Sequence, residues 1–80
     1  MSYVLRNKDY KQGDRYAFYE YVTTHRDGTV EIEYERLKYA EIFDNIEDAV
    51  SEKLKVDPES TELSIVNLIE AEDEYYRWKN

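Results

Sequence analysis

Eighty residues without a cysteine, with nineteen acidic against eleven basic side chains and a net charge of −8, bound the chain to one domain and exclude several chemistries. Neither a disulfide framework nor a thiolate metal site can form. A surface that repels phosphate over most of its length argues against direct nucleic-acid binding.

The charge is uneven. Residues 1–28 hold five basic and four acidic side chains, for +1, and residues 29–80 hold six and fifteen, for −9. The natural complement of such a chain is a basic partner, although an acidic surface also serves solubility alone. Nine Tyr, two Phe and one Trp argue against disorder, which goes with aromatic-poor composition. Met1–Arg6 lacks the apolar run of a secretory leader, and nothing approaches the roughly 20 apolar residues of a membrane span. A cytoplasmic location and no membrane partner are expected.

Tyr3-Val4-Leu5 predicts a short strand ending at Asn7-Lys8-Asp9, followed by a turn at Lys11-Gln12-Gly13-Asp14. Arg15–Thr24 is dominated by aromatic and β-branched residues and predicts a second strand. After a turn at His25-Arg26-Asp27-Gly28, Thr29–Glu35 alternates apolar and acidic residues at the period of a third strand. The two strands form a hairpin. A three-residue loop with a glycine bulge at Gly28 pairs His25 with Thr29, Val22 with Ile32 and Phe18 with Arg36. In that register Phe18 and Val22 join Val30, Ile32 and Tyr34 on the core face, while Ala17, Tyr19 and Tyr21 lie beside Glu31, Glu33 and Glu35 on the other. The alternation then changes phase through Leu37, Tyr39, Ala40 and Ile42, as a bulge or break near Arg36–Lys38 would produce, and Phe43 ends the strand.

Asp44-Asn45-Ile46-Glu47 has the form of a capping box. Ile46, Ala49, Val50 and Leu54 fall on one helical stripe, and Asp57-Pro58 stops the helix. The β-branched content of Leu63–Ile69 favours a closing strand, although a helix with Leu63, Val66 and Ile69 on one side is the alternative. The tail, residues 70–80, is acidic and then aromatic. It is expected either to be mobile or to fold Tyr75 or Trp78 back onto the core. The fold class is therefore α+β: a three- to four-stranded antiparallel sheet with one helix on one face, in the order β-β-β-α-β, over a single domain of residues 1–80. Its expected core comprises Val4, Phe18, Val22, Val30, Ile32, Ile42, Phe43, Ile46, Val50, Leu54, Ile65 and Leu68.

The residues offer no catalytic constellation. His25, the one histidine, falls in a turn, and carboxylates are too numerous for any pair to stand out as acid and base. Asp44–Asp48 lacks the spacing and glycine of a calcium loop. Gly13 and Gly28 stand too far apart for a phosphate-cradling loop. No enzyme, metal or cofactor is expected.

A surface function rests on three features. Glu31, Glu33 and Glu35 lie two residues apart on one strand, so their side chains recur about every 6.8 Å, of the order of the phosphate spacing along a nucleic-acid strand. With Tyr19 and Tyr21 they would interleave anions and flat rings in imitation of nucleic acid, or form merely the wet side of a half-buried hairpin. The helix start at Asp44, Glu47, Asp48 and Glu52 is accounted for by capping and the helix dipole. Glu70, Glu72, Asp73 and Glu74 before Tyr75, Tyr76 and Trp78 form a candidate docking segment for a basic partner.

The ordering of hairpin, then Ala40-Glu41-Ile42-Phe43-Asp44 leading into Glu47-Asp48-Ala49 and a closing strand, over about residues 29–70, resembles that of small phage- and prophage-encoded acidic proteins. The resemblance implies an inhibitor of a host enzyme, of the anti-CRISPR or DNA-mimic type, acting in the host cytoplasm. It carries no functional residues with it. Such a protein would occupy the basic, nucleic-acid-binding cleft of a host nuclease or effector complex. The alternative is a small structural module that homodimerises through an exposed sheet face.

Overall fold

A computed structural model describes residues 1–79, with side chains through residue 77. The chain forms β1 (Tyr3–Asn7), β2 (Phe18–Thr24), β3 (Val30–Glu35), a 3-10 turn (Leu37–Tyr39), α1 (Ile46–Val56), β4 (Leu63–Asn67) and α2 (Leu68–Lys79). The strands make one sheet in the order β3-β2-β1-β4, with every neighbouring pair antiparallel. The α+β class and the element order through β4 agree with the sequence reading, while the closing strand expected over Leu63–Ile69 ends at Asn67 and gives its last two residues to α2. The second helix is an addition to it.

β1 pairs along its whole length with β4, but with β2 only at Arg6–Phe18. Residues 41–43 wedge into the remaining gap. The Glu41 N–H donates to the Tyr19 carbonyl at 3.0 Å, while Tyr3 and Phe43 exchange hydrogen bonds of 2.8 and 2.9 Å. The phase change near Arg36–Lys38 is the 3-10 turn, and Phe43 forms an isolated bridge to Tyr3 rather than the end of a long third strand.

At its tip the hairpin follows expectation. The His25 N–H donates to the Thr29 carbonyl at 2.8 Å and the Gly28 N–H to that of His25 at 3.0 Å. Gly28 has φ of 88°, the left-handed region that a glycine bulge requires. Val22 pairs with Ile32 as predicted. Beyond that point the register slips. Tyr21 faces Glu33 but Tyr19 faces Tyr34, so Glu20 is an extra residue and Phe18 pairs with Glu35 rather than Arg36. Unbroken alternation would have put the Glu20 carboxylate between Phe18 and Val22 on an apolar face, a costly burial without a partner. A bulge removes that conflict by shifting the pairing by one residue.

The slip distributes the hydrophobic residues over both faces of the sheet. On one face Leu5, Tyr19 and Leu63 pack with Phe43 and with Ala49 of α1. On the other, Val4, Phe18 and Val66 pack with Leu37 and with Ala71 of α2, and Leu68 and Tyr75 complete that cluster. Each fully buried large side chain, such as Phe18, Leu5, Leu63 and Val4, contributes about 1.5–3 kcal/mol.

Both helices depart from the sequence reading. The cap of α1 is Asn45 rather than Asp44: its Oδ1 accepts the Asp48 N–H at 2.9 Å. The helix buries Ala49, while Ile46, Val50 and Leu54, expected in the core, are exposed, as are Val30 and Ile42. A small residue at 49 lets the helix backbone approach the sheet, and the larger side chains are left to its flank. Through residue 79 the tail forms α2, begun by Asn67, whose Oδ1 accepts the Ile69 N–H at 2.8 Å. Leu68, Ala71 and Tyr75 recur at helical spacing on its inner side. The Tyr75 ring meets Phe18 edge-on at 6.1 Å, as the fold-back alternative required; the Trp78 side chain lies outside the described residues. No helix among the described residues is long and apolar enough to cross a membrane.

Asp57 ties the end of α1 to the start of β4. It is the one buried charged residue among those described, at 4% exposure. Its carboxylate accepts the backbone N–H groups of Thr61, Glu62 and Leu63 at 3.0, 3.1 and 2.9 Å. Burial pushes the Asp57 carboxyl pKa up, but those three N–H groups and Lys53 outweigh it and hold the value below the ordinary one. A depressed folded pKa stabilises the fold above the unfolded value and loses that contribution as pH falls through the folded one. Asp57→Ala should therefore cost about 2–4 kcal/mol at pH 7, since it strands buried donors. The penalty should shrink below about pH 4, where the carboxyl protonates in the unfolded chain and the stability from its depressed folded pKa begins to be lost. Urea unfolding of both proteins at pH 7 and pH 3 checks this, and a penalty independent of pH would contradict it.

Candidate functional site

Tyr21 and Thr23 of β2 and Glu31, Glu33 and Glu35 of β3 share the side of the hairpin opposite to α1. Their local environments differ. Glu31, with its side chain 64% exposed, meets the His25 Nε2 at 3.1 Å. Glu33 accepts the Thr23 hydroxyl at 3.2 Å. Glu35 is drawn to Arg36, whose Nε lies 3.4 Å away and whose backbone N–H donates to the same carboxylate at 2.8 Å. The charge of the row is thus compensated at Glu35 and carried outward mainly by Glu31 and Glu33.

Tyr19 does not belong to this row. The bulge at Glu20 turns it to the opposite face, where it is 2% exposed against 53% for Tyr21. Its hydroxyl donates to Glu52 of α1. Burial first, and then that hydrogen bond, raise its phenol pKa well above the usual value. Tyr34 behaves alike: its hydroxyl donates to Glu62 at 3.0 Å, and burial followed by that carboxylate raises its pKa. These two tyrosine–carboxylate bonds fasten the hairpin to α1 and to the segment before β4.

The acidic residues of the former tail form no continuous patch with the row. Glu74 reaches inward to Arg6 at 2.8 Å, and Asp73 pairs with Arg77 one turn on. Glu70 and Glu72 remain exposed. Between this helix and the row lies a basic, aromatic seam that the sequence reading missed. Arg15, Arg36 and Lys38 line a cavity of about 100 Å³ with Tyr75 and Tyr76. The Arg36 guanidinium stands 5.1 Å from the Tyr39 ring centre and 5.9 Å from that of Tyr16, and the Lys38 ammonium 4.9 Å from Tyr39. Interleaved Tyr and Arg/Lys from Arg15 to Tyr39 were the available signal, obscured by a net negative charge.

A second feature adjoins the row along β3. Val30, Ile32, Val56 and Pro58 line a groove of about 400 Å³ together with Glu31, Glu59 and Glu62. Apolar side chains beside Glu59 and Glu62 suit the side chain of Lys or Arg, whose methylene stem lies on apolar surface while its head is ion-paired; the Glu31 side chain itself points to the opposite face of the hairpin. Glu59 and Glu62 come to the hairpin only through the Asp57 turn, so nothing local in the sequence joins them to Glu31. Among the described residues no three His, Asp or Glu side chains gather to hold a metal.

The two tyrosines give a direct check on this geometry. Tyr19→Ala should cost about 3–5 kcal/mol, as for large aromatic truncations in a core. Tyr21→Ala should stay within about 0.5 kcal/mol, as at a surface site. Denaturant melts of both variants measure the difference, and equal costs would contradict the assignment of faces.

No family model matches the chain, and neither a curated protein nor a solved structure matches it.

Proposed function

We propose that this chain is a non-catalytic binding protein that occupies a basic, nucleic-acid-binding cleft of a host nuclease or effector complex and excludes the nucleic acid from it. The observation that carries the reading is the row of Glu31 and Glu33 beside the exposed Tyr21 ring on an open stretch of sheet. Carboxylates two residues apart on a strand recur about every 6.8 Å, and a flat ring beside them offers contact area at low entropic cost. The groove beside Glu59 and Glu62 adds a seat for a lysine or arginine of the partner. Glu70 and Glu72 contribute to the long-range field that steers such a partner.

This reading agrees with the inhibitor type implied by the resemblance to small acidic phage-encoded proteins, and it assigns no reaction to the chain. The residues that would contact the partner are Glu31, Glu33 and Tyr21. Glu35 serves Arg36, Tyr19 serves the core, and Asp73 and Glu74 are engaged within or against α2.

The test compares wild-type protein with Glu31→Lys/Glu33→Lys as immobilised baits in a nuclease-treated bacterial lysate. Nucleic-acid-binding proteins should be retained at about 0.1 M salt, where the screening length is about 10 Å, and released as salt approaches 1 M. A DNA oligonucleotide should displace them. The double variant should retain none and melt within about 0.5 kcal/mol of wild type. Equal retention by both baits, or indifference to the oligonucleotide, would defeat the proposal.

A further inference from the structure

The two edges of the sheet are unlike. The β3 edge carries Glu31, Glu33 and Glu35, charges of the kind that discourage edge-to-edge pairing. The β4 edge, Leu63-Ser64-Ile65-Val66-Asn67, has no charge, proline or bulge. Beside it lies the exposed flank of α1. Glu52, on one side of that helix, reaches Tyr19 of β2. On the other side Lys53 donates to Ser60 at 2.7 Å and Asp57 holds the start of β4, so that flank looks outward past β4. Ile46, Val50 and Leu54 occupy it, 45%, 39% and 61% exposed.

We infer that a second copy of this chain pairs with the β4 edge about a two-fold axis through Ile65, joining the two sheets and packing Ile46, Val50 and Leu54 of the two α1 helices against one another. The backbone accounting selects a second copy. The Lys8 N–H donates to the Glu62 carbonyl and the Leu68 N–H to that of Ser2. By antiparallel alternation, residues 62, 64, 66 and 68 therefore face β1, and residues 63, 65 and 67 turn their backbone groups outward. The outward Leu63 N–H is already bound by Asp57. What β4 offers a neighbour is the Leu63 carbonyl, both groups of Ile65 and the Asn67 N–H. Set opposite its own copy with Ile65 facing Ile65, that series is self-complementary and closes four inter-chain hydrogen bonds.

The helices fit the same axis. α1 packs above the β1–β4 pair, so joining two β4 strands sets the two helix axes about two strand spacings apart, roughly 10 Å. Packed helices lie about 8–10 Å apart. Two steps of sheet twist at about −20 to −25° each turn one helix against the other by about −40 to −50°. Ridges with a spacing of four residues, such as 46, 50 and 54, interlock near −50°. The helix runs alongside β1, from Phe43 beside Tyr3 to Asp57 beside Leu63, so Val50 falls nearest the axis and Ile46 faces Leu54 of the other copy. An edge about 17 Å long and two layers about 20 Å high cover roughly 340 Å² on each copy, about 700 Å² in total, below the range of stable specific interfaces, and so give a weak, reversible dimer. No charged side chain of β4 opposes the contact, which keeps the acidic β3 edges at the two far ends.

Analytical ultracentrifugation from about 1 µM to 1 mM tests this. That range spans affinities of about −8 to −4 kcal/mol. Wild type should approach twice 9.7 kDa at the upper end, equally in low and high salt. Val50→Lys sets two ammonium groups together at the axis and should raise the dissociation constant at least 30-fold while leaving the dilute-protein melt unchanged. Hydrogen exchange of the Ile65 amide should slow with protein concentration in wild type and not in the variant. A monomer throughout, a dimer that survives Val50→Lys, or one that leaves the Ile65 amide unprotected would overturn the inference.

Discussion

The structure turns on one carboxylate that regular pairing would have buried. Glu20 stands between Phe18 and Val22, and strict alternation along β2 would set it on the same apolar face as both. By taking Glu20 as an extra residue, the hairpin keeps its tip register at Val22–Ile32 yet reverses the faces of Phe18 and Tyr19. Phe18 then becomes the centre of the cluster under α2, and Tyr19 that of the cluster under α1. A small chain, which buries a limited fraction of its surface, thereby gains apolar contacts on both faces of one sheet.

Much of this was legible. The alternation of Thr29–Glu35, the glycine at 28, the helix stopped at Asp57-Pro58 and the β-branched run from Leu63 each carry a local signal, and each gives the expected element, with the helix cap one residue later and the strand end two residues earlier than expected. What failed was nonlocal. The parity of β2 depends on an energetic conflict at Glu20, not on its propensity. The exposure of Val50 and Leu54 depends on how closely Ala49 lets α1 approach the sheet. The helix at residues 68–79 was hidden because its acidic composition reads as a solvated tail, although Leu68, Ala71 and Tyr75 hold helical spacing. Of the candidate site, the row on β3 was visible in the sequence. The removal of Tyr19, the quenching of Glu35 by Arg36 and the arrival of Glu59 and Glu62 beside the apolar face of β3 were not.

Charge and apolar surface are sorted across the sheet. Carboxylates line β3, Arg15, Arg36 and Lys38 sit among tyrosines at the 3-10 turn, and β4 is uncharged, with Ile46, Val50 and Leu54 exposed on the adjacent flank of α1. Several carboxylates are committed to the fold itself: Asp57 to backbone N–H groups, Glu52 and Glu62 to tyrosine hydroxyls, Glu74 to Arg6. These bonds leave the net charge of −8 unchanged but fix where part of it sits, and the exposed placement of Glu31 and Glu33 on the hairpin is what gives the rest of the acidity a direction.

The most direct measurement of this account is a nuclear Overhauser spectrum of the aromatic rings. The slipped register requires Tyr19 ring protons to contact the methyl of Ala49, and Phe18 ring protons to contact the methyl of Ala71 and the ring of Tyr75. The Tyr21 ring should show neither helix. Cross-peaks joining Phe18 to Val22 and Ala49, with Tyr19 beside Tyr21 instead, would restore unbroken pairing and contradict the arrangement on which the rest depends.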